Sequence, residues 1–331
     1  MDRIRRDPIV FSRISIISHI RALRPKELTI VKHETPNITK CPFCQGNEDM
    51  TPPATLLVRY GDRGLEYLKD NESFRIRDWL VRIIPNKYPI FSRDGLDPYG
   101  YHEVVIEHPQ HDVNLYNMSL NHLNIFLSAI FRRIKELYND STVKHVYIFK
   151  NFGSGGGASI AHSHTQLIAS STVLPSVYEE IRYSKLLYSK LKNCPYCELI
   201  KREVNSPRLV YKNKSFIVFT SYAPRNSYET WILPLSHASN PFNIDNEVSF
   251  FAEALSKLMS SYRKCLGTVD FNFWLHVSPK GIKCEEFYHW HLEVLPITTL
   301  WGGLEKGGNA YVVTSSPEDS AKDLRNCLEN C

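Results

Sequence analysis

The chain contains one unit twice. His162-Ser163-His164-Thr165-Gln166 has a counterpart in His289-Trp290-His291-Leu292-Glu293, and both histidine pairs lie 127 residues apart. Upstream segments keep that offset. Val146-Tyr147-Ile148-Phe149 falls on Phe273-Trp274-Leu275-His276, and Tyr101-His102-Glu103-Val104-Val105 falls on Tyr228-Glu229-Thr230-Trp231-Ile232. His111 falls on His237 at 126 residues, and Cys41-Pro42-Phe43-Cys44 on Cys194-Pro195-Tyr196-Cys197 at 153, so the first half carries the longer insert. Agreement over so many segments means two copies of one supersecondary unit. The expected halves are residues 1–175 and 176–331, the first with HSHTQ and the second with a degenerate HWHLE.

Each half offers, in the same order, a Cys-Pro-aromatic-Cys knuckle, a histidine after a strand and the first histidine of His-X-His. Two thiolates and two imidazoles make a tetrahedral zinc site. The expected ligands are Cys41, Cys44, His111 and His162 in the first half, and Cys194, Cys197, His237 and His289 in the second. A disulfide within each knuckle is the competing reading. It suits a reducing compartment poorly, and a redox motif would need a βαβ context that neither knuckle has. Four protein ligands leave no open position, so both metals read as structural.

The Gly-rich run Asn151 to Gly157 precedes HSHTQ. On a strand, alternate residues share a face, so His162, His164 and Gln166 are expected together. The glycines would let backbone N–H groups approach a phosphate. A neutral imidazole attacks phosphorus through one ring nitrogen while an acceptor holds the other. His-X-His alone is a common core or surface pattern; the loop, the glutamine and the second copy together read as nucleotidyl transfer. Glu293 stands where the first copy has Gln166, and a carboxylate repels a phosphate, so the second His-X-His reads as structural.

The net charge of +5 is small and the basic residues are scattered, which argues against a nucleic-acid face. No apolar run reaches the ~18 residues of a membrane span. The basic N-terminus lacks an apolar signal core, so the cytoplasm is expected. The periodicity predicts a lead-in over 1–40 and strands at 101–107, 145–150, 215–220, 229–234, 271–277 and 289–295. It predicts helices over 117–138, 176–192, 246–265 and 317–331, the last capped by Ser316, and an alternating stretch over 74–91. Cys327 and Cys331 sit one turn apart, as free thiols or as a disulfide.

CPFC, IIPNKYPIF, YHEVVIEHPQHD, NFGSGGGASIAHSHTQ, CPYC, HWHLEVLP and LWGGLEKGG resemble the galactose-1-phosphate uridylyltransferase branch of the histidine-triad superfamily, from Cys41 to the last helix. The resemblance implies an α+β fold in which two histidine-triad-like units, mainly antiparallel, join their sheets as a half-barrel with flanking helices. It also implies a homodimer acting on a nucleotide sugar and a sugar 1-phosphate by double displacement. His164 would be the nucleophile and Gln166 the donor to the phosphoryl oxygens. Ser159 would lie near the leaving phosphate, Asn151 at the entrance of the loop that closes at Gly157, and Asn86 at the ribose. Glu305 and Lys306 fall where the family reaches the hexose, in a stretch that a plain solvated turn would also explain. Ser163 and Thr165 replace the proline and glycine common in uridylyltransferases, Lys87 replaces an acidic residue, and HSHTQ is similar to a sister group of ADP-sugar phosphorylases. The first reading is therefore exchange of UMP between UDP-glucose and galactose 1-phosphate. The alternative is an ADP-sugar phosphorylase or adenylyltransferase, and a zinc-stabilised nucleotide-binding protein without catalysis is the third.

Overall fold

The computed structural model describes residues 3–23, 41–93, 98–244 and 247–329. Eleven strands form one open sheet. In the first half these are β3 (Leu56–Gly61), β4 (Gly64–Leu68), β5 (Val81–Pro85), β6 (Gly100–Ile106), β7 (His145–Phe152) and β8 (His164–Ser170). In the second they are β9 (Leu209–Lys212), β10 (Phe216–Thr220), β11 (Thr230–Pro234), β12 (Phe271–His276) and β13 (His291–Pro296). The order is β4-β3-β5-β6-β8-β7-β12-β13-β11-β10-β9, and every pairing is antiparallel.

Read outward from the central β7–β12 pair the order is the same in both directions, except that the first half adds β4 at its edge, which is the repeat made visible. β7 and β12, equivalent strands of the two copies, pair at the centre with Asn151 opposite Asn272. α1 (Leu120–Leu137) and α4 (Val248–Leu266) pack together on one face. α1 starts where the Ser119 side chain caps the His122 N–H, as an N-cap hydroxyl should. Phe131 of α1, Phe251 of α4, Phe216 of β10 and Trp290 meet edge-on or tilted between the helices and the sheet.

Strand alternation sorts the rest. Leu167 and Ala169 of β8, Val105 of β6 and Phe273 of β12 enter this helix-covered core. Their neighbours His164, Gln166, His102, Val104 and Asn272 therefore face the other side. There Phe43, Trp79 and Ile106 make a small core over the first half. α2 (Pro175–Leu191) and α3 (Pro195–Glu203) lie over the second, with Tyr196, Trp231 and Tyr288 packed between.

The helices at 117–138, 176–192 and 246–265 appear as α1, α2 and α4. The final helix, α6 (Pro317–Glu329), is capped as expected, Ser316 Oγ accepting the Asp319 N–H at 3.1 Å. The stretch from 1 to 40 is more than a lead-in: β1 (Ile4–Arg6) and β2 (Ile14–Ile17) form a second, three-stranded sheet with β14 (Ala310–Val313). Pairing with a strand from the far end of the chain was invisible in a short stretch. Of 74–91 only Val81–Pro85 is a strand. Cys331 lies outside the described residues, and Cys327 is bonded to Cys265 instead, tying α6 to α4.

Candidate functional site

The expected metal ligands come together in both halves. The ligand atoms of Cys41, Cys44, His111 and His162 lie within 4.8 Å of one another, and those of Cys194, Cys197, His237 and His289 do the same. Zinc with sulfur at about 2.3 Å and nitrogen at about 2.0–2.1 Å in a tetrahedron requires S–N edges of about 3.6 Å. Cys41 Sγ to His162 Nδ1 is 3.7 Å, Cys44 Sγ to His111 Nδ1 3.4 Å and Cys44 Sγ to His162 Nδ1 3.5 Å. In the second group Cys197 Sγ lies 3.3 Å from His237 Nδ1 and 3.8 Å from His289 Nδ1. Three of the four outer ring nitrogens are also held, that of His111 having no hydrogen-bond partner. Nε2 of His162 donates to the His108 carbonyl, that of His237 to Glu285 and that of His289 to Pro234, at 2.8, 2.6 and 2.9 Å. Such bonds fix the tautomer that leaves Nδ1 free to bind a metal. Neither knuckle forms a disulfide, all four thiols being free, and both donor sets fit zinc.

His164 opens β8 two residues after His162, so the strand alternation expected to include His162 begins only at His164. Its Nδ1–H donates to the His162 carbonyl at 2.9 Å, which leaves the lone pair on Nε2. Phe43 of the knuckle meets the ring edge-on at 5.3 Å between centroids. Burial lowers its pKa and the Lys150 ammonium lowers it further, so the imidazole is neutral near pH 7.

Beneath the strand, Ser163 and Thr165 point the other way. They donate to Glu107 at 2.7 Å each, and Lys150 Nζ donates to Glu107 Oε1 at 2.6 Å, Ser163 Oγ at 2.9 Å and the His164 carbonyl at 3.0 Å. Burial would raise the Glu107 carboxyl, but Lys150 and the two hydroxyls hold it below its ordinary value. Burial lowers Lys150. These two residues, like His102, were not singled out from sequence. Their partners are far away in the chain, and the clue was only that Ser163 and Thr165 are polar at positions facing a core.

Gln166 follows on the same face as His164, and its Oε1 lies 2.9 Å from His102 Nε2. Asn86, just past β5, turns its Nδ2 to the His102 ring and accepts the Tyr88 N–H. Asn151 accepts from Asn272 of the second half at 2.8 Å. The glycine loop is tighter than a phosphate cradle needs. Gly155, Gly157 and Ala158 spend their N–H groups on Asp270, Ser154 and Gly153. Gly153 has φ +73°, and a Cβ on Gly156 would lie 2.4 Å from the Phe152 carbonyl oxygen. Ser159 is exposed at the loop's end. Glu305 and Lys306 lie on α5 (Gly303–Gly308), which packs on β14, and the Glu305 carboxylate accepts the Gly302 N–H at 2.8 Å. Among the described residues neither shares a hydrogen bond or ion pair with the HSHTQ strand.

The second copy repeats the geometry without access. His291 Nδ1 donates to the His289 carbonyl at 2.9 Å, as His164 does to His162. Yet His291 is fully buried, stacked on Trp231 and ringed by Tyr196 and Tyr288. Its Nε2 faces Glu293 at 3.7 Å and Glu180 at 4.0 Å. Glu180 in turn bonds His276, and Arg225 bonds Glu293 at 2.5 Å. This side already holds its own charges, with no approach for an anion.

Residues 86–174 match the family described as galactose-1-phosphate uridyl transferase, N-terminal domain. The chain is 28% identical over 345 residues to an ADP-glucose phosphorylase of Arabidopsis thaliana, covering 97% of this chain and 92% of that one. It is 26% identical over 300 residues to a galactose-1-phosphate uridylyltransferase of Thermotoga maritima, covering 88% and 90%. Among solved structures, an ADP-glucose phosphorylase from Arabidopsis thaliana with bound ADP-glucose superposes with a TM-score of 0.82 at 27% identity, over 97% of this chain and 98% of that one.

Proposed function

We propose that this chain, a member of the galactose-1-phosphate uridylyltransferase family, moves a nucleotidyl group from a nucleoside diphosphate sugar to a phosphate acceptor through His164. The observation that carries the reading is the fixed tautomer: Nδ1–H is committed to the His162 carbonyl, leaving an unprotonated Nε2 on the face shared with Gln166. In the first step Nε2 attacks the α-phosphorus and the bond to the bridging oxygen breaks, so a sugar 1-phosphate leaves with that electron pair. In the second, an oxygen of the acceptor phosphate attacks the same phosphorus and Nε2 takes back its lone pair. Gln166 donates to the phosphoryl oxygens as charge grows on them. Asn86 would meet the ribose. Asn151, Gly157 and Ser159 would line the phosphates, and Glu305 and Lys306 the sugar. The zinc ions would be structural, the first holding His162 and so the carbonyl that orients His164.

ADP-glucose with inorganic phosphate as acceptor is put ahead of UDP-glucose with galactose 1-phosphate, the reverse of the order expected from sequence. Alignment with the ADP-glucose phosphorylase over nearly the full length of both chains, at 28% identity and with a TM-score of 0.82, supports it. The Thermotoga maritima relative supports uridylyl exchange. Intact-protein mass spectrometry after brief mixing with each nucleotide sugar, without acceptor, separates them. An AMP adduct on His164 is expected. A UMP adduct alone would install uridylyl exchange, and turnover retained by His164→Ala would end the covalent mechanism.

A further inference from the structure

The phosphoryl-facing amide of Gln166 has two possible orientations, and its neighbours decide between them. The backbone N–H of Ile90 donates to Nδ1 of His102 at 3.2 Å. A main-chain amide is always a donor, so Nδ1 must be the acceptor and the proton of the neutral ring sits on Nε2. Burial lowers the pKa of His102, so the ring is neutral near pH 7. Nε2–H then faces the Gln166 side chain at 2.9 Å and requires an oxygen there. Gln166 therefore presents Oε1 to His102 and keeps its NH2 free of any protein partner among the described residues. A backbone donor also sets the Asn86 amide, its Oδ1 accepting the Tyr88 N–H at 2.9 Å; its NH2 then lies against the His102 ring, 3.4 Å from Nδ1 and 3.2 Å from Nε2, as a packing contact rather than a hydrogen bond.

We infer that His102 is a positioning residue: through one imposed tautomer it locks Gln166 with its NH2 toward the phosphoryl group, and it ties that orientation to the 86–90 segment that carries Asn86. The inference rests on the nucleotidyl-transfer reading. Without the lock, the amide rotates and half its orientations point a carbonyl oxygen at an anion. The loss falls on the transition state, where charge grows, more than on ground-state binding.

The test is a double-mutant cycle in the full-length protein, read as single-turnover formation of nucleotidyl-His164 and as kcat and KM, with thermal unfolding as the folding check. His102→Leu is expected to lower the adduct rate roughly 10- to 100-fold with KM little changed, a fraction of what losing an oxyanion donor costs. On a Gln166→Ala background the same change should add less than about 2-fold, because its only route is gone. His102→Gln keeps a donor toward Gln166 and an acceptor toward Ile90, and should recover most of the rate. Equal losses from His102→Leu in both backgrounds would overturn the inference and leave His102 a packing residue. Full activity of His164→Ala would overturn the transfer reading instead, so the two failures are distinct.

Discussion

At the residue scale, the Lys150–Glu107 pair is the most exposed to test. Both side chains are fully buried, directly under the strand that carries His164. Removing one partner leaves an uncompensated buried charge, which costs roughly 3–5 kcal/mol. Lys150→Met is expected to lose about that much in urea unfolding at pH 7, and Lys150→Met with Glu107→Gln to recover part of it. The pH dependence has a definite sign. The folded Glu107 carboxyl lies below its ordinary value, so its contribution is complete above the unfolded pKa of about 4.3 and is lost as pH falls below that. The stability gap between the native chain and Glu107→Gln should therefore narrow from pH 7 to pH 3; a gap that stayed constant would remove the ion pair from the account. The two Cys2His2 groups that could hold a metal were legible in the sequence because their order recurs. His102, Lys150 and Glu107 were not. A single polar residue on a strand says nothing about its partner, and His102 meets Gln166 across a separation of 64 residues.

Helices and long strands followed from periodicity because each turn or alternation repeats the signal. The hairpin β3–β4 and the short strands β1, β2 and β14 did not, since three to six residues give little periodicity and β14 pairs in parallel with β2 from the far end of the chain. The α4–α6 link was equally hidden: spacing left Cys327 and Cys331 open between free thiols and a disulfide, whereas packing of α6 on α4 brings Cys327 to Cys265, with Cα atoms 6.0 Å apart. Closing a loop across 62 residues restricts the unfolded chain and contributes about 2–4 kcal/mol. Cys327→Ser is expected to lower stability by that amount in non-reducing urea titrations and by almost nothing in excess dithiothreitol. Equal stability of the two chains without reductant would mean the bond does not form in solution.

Over the whole molecule, duplication gives two Cys2His2 groups of matching build that could hold a metal and two His-X-His strands, of which the second is sealed: His164 keeps 7% exposure and Gln166 is half-buried, whereas His291 and Glu293 are fully buried. The matching order on either side of β7–β12 places both on the face away from α1 and α4, and α2 with α3 then covers the second. Glu180 of α2 and the indole of Trp231 occupy the space that an incoming phosphate would need beside His291. Metal loss should therefore have unequal effects. In the first half, His162 would be both a ligand and the residue whose carbonyl holds His164; in the second, His289 orients the fully buried His291. Cys44→Ala and Cys197→Ala should each lower zinc from two to one per chain by plasma emission, and each should lower the thermal midpoint. Only Cys44→Ala should abolish the nucleotidyl-His164 adduct in the remaining folded protein, while Cys197→Ala should keep it within about 3-fold of the native rate, the loss attending a change far from the chemistry. Equal loss of adduct in both variants would show that the second unit does more than support the first. Unchanged zinc in either would remove that cysteine from its ligand set.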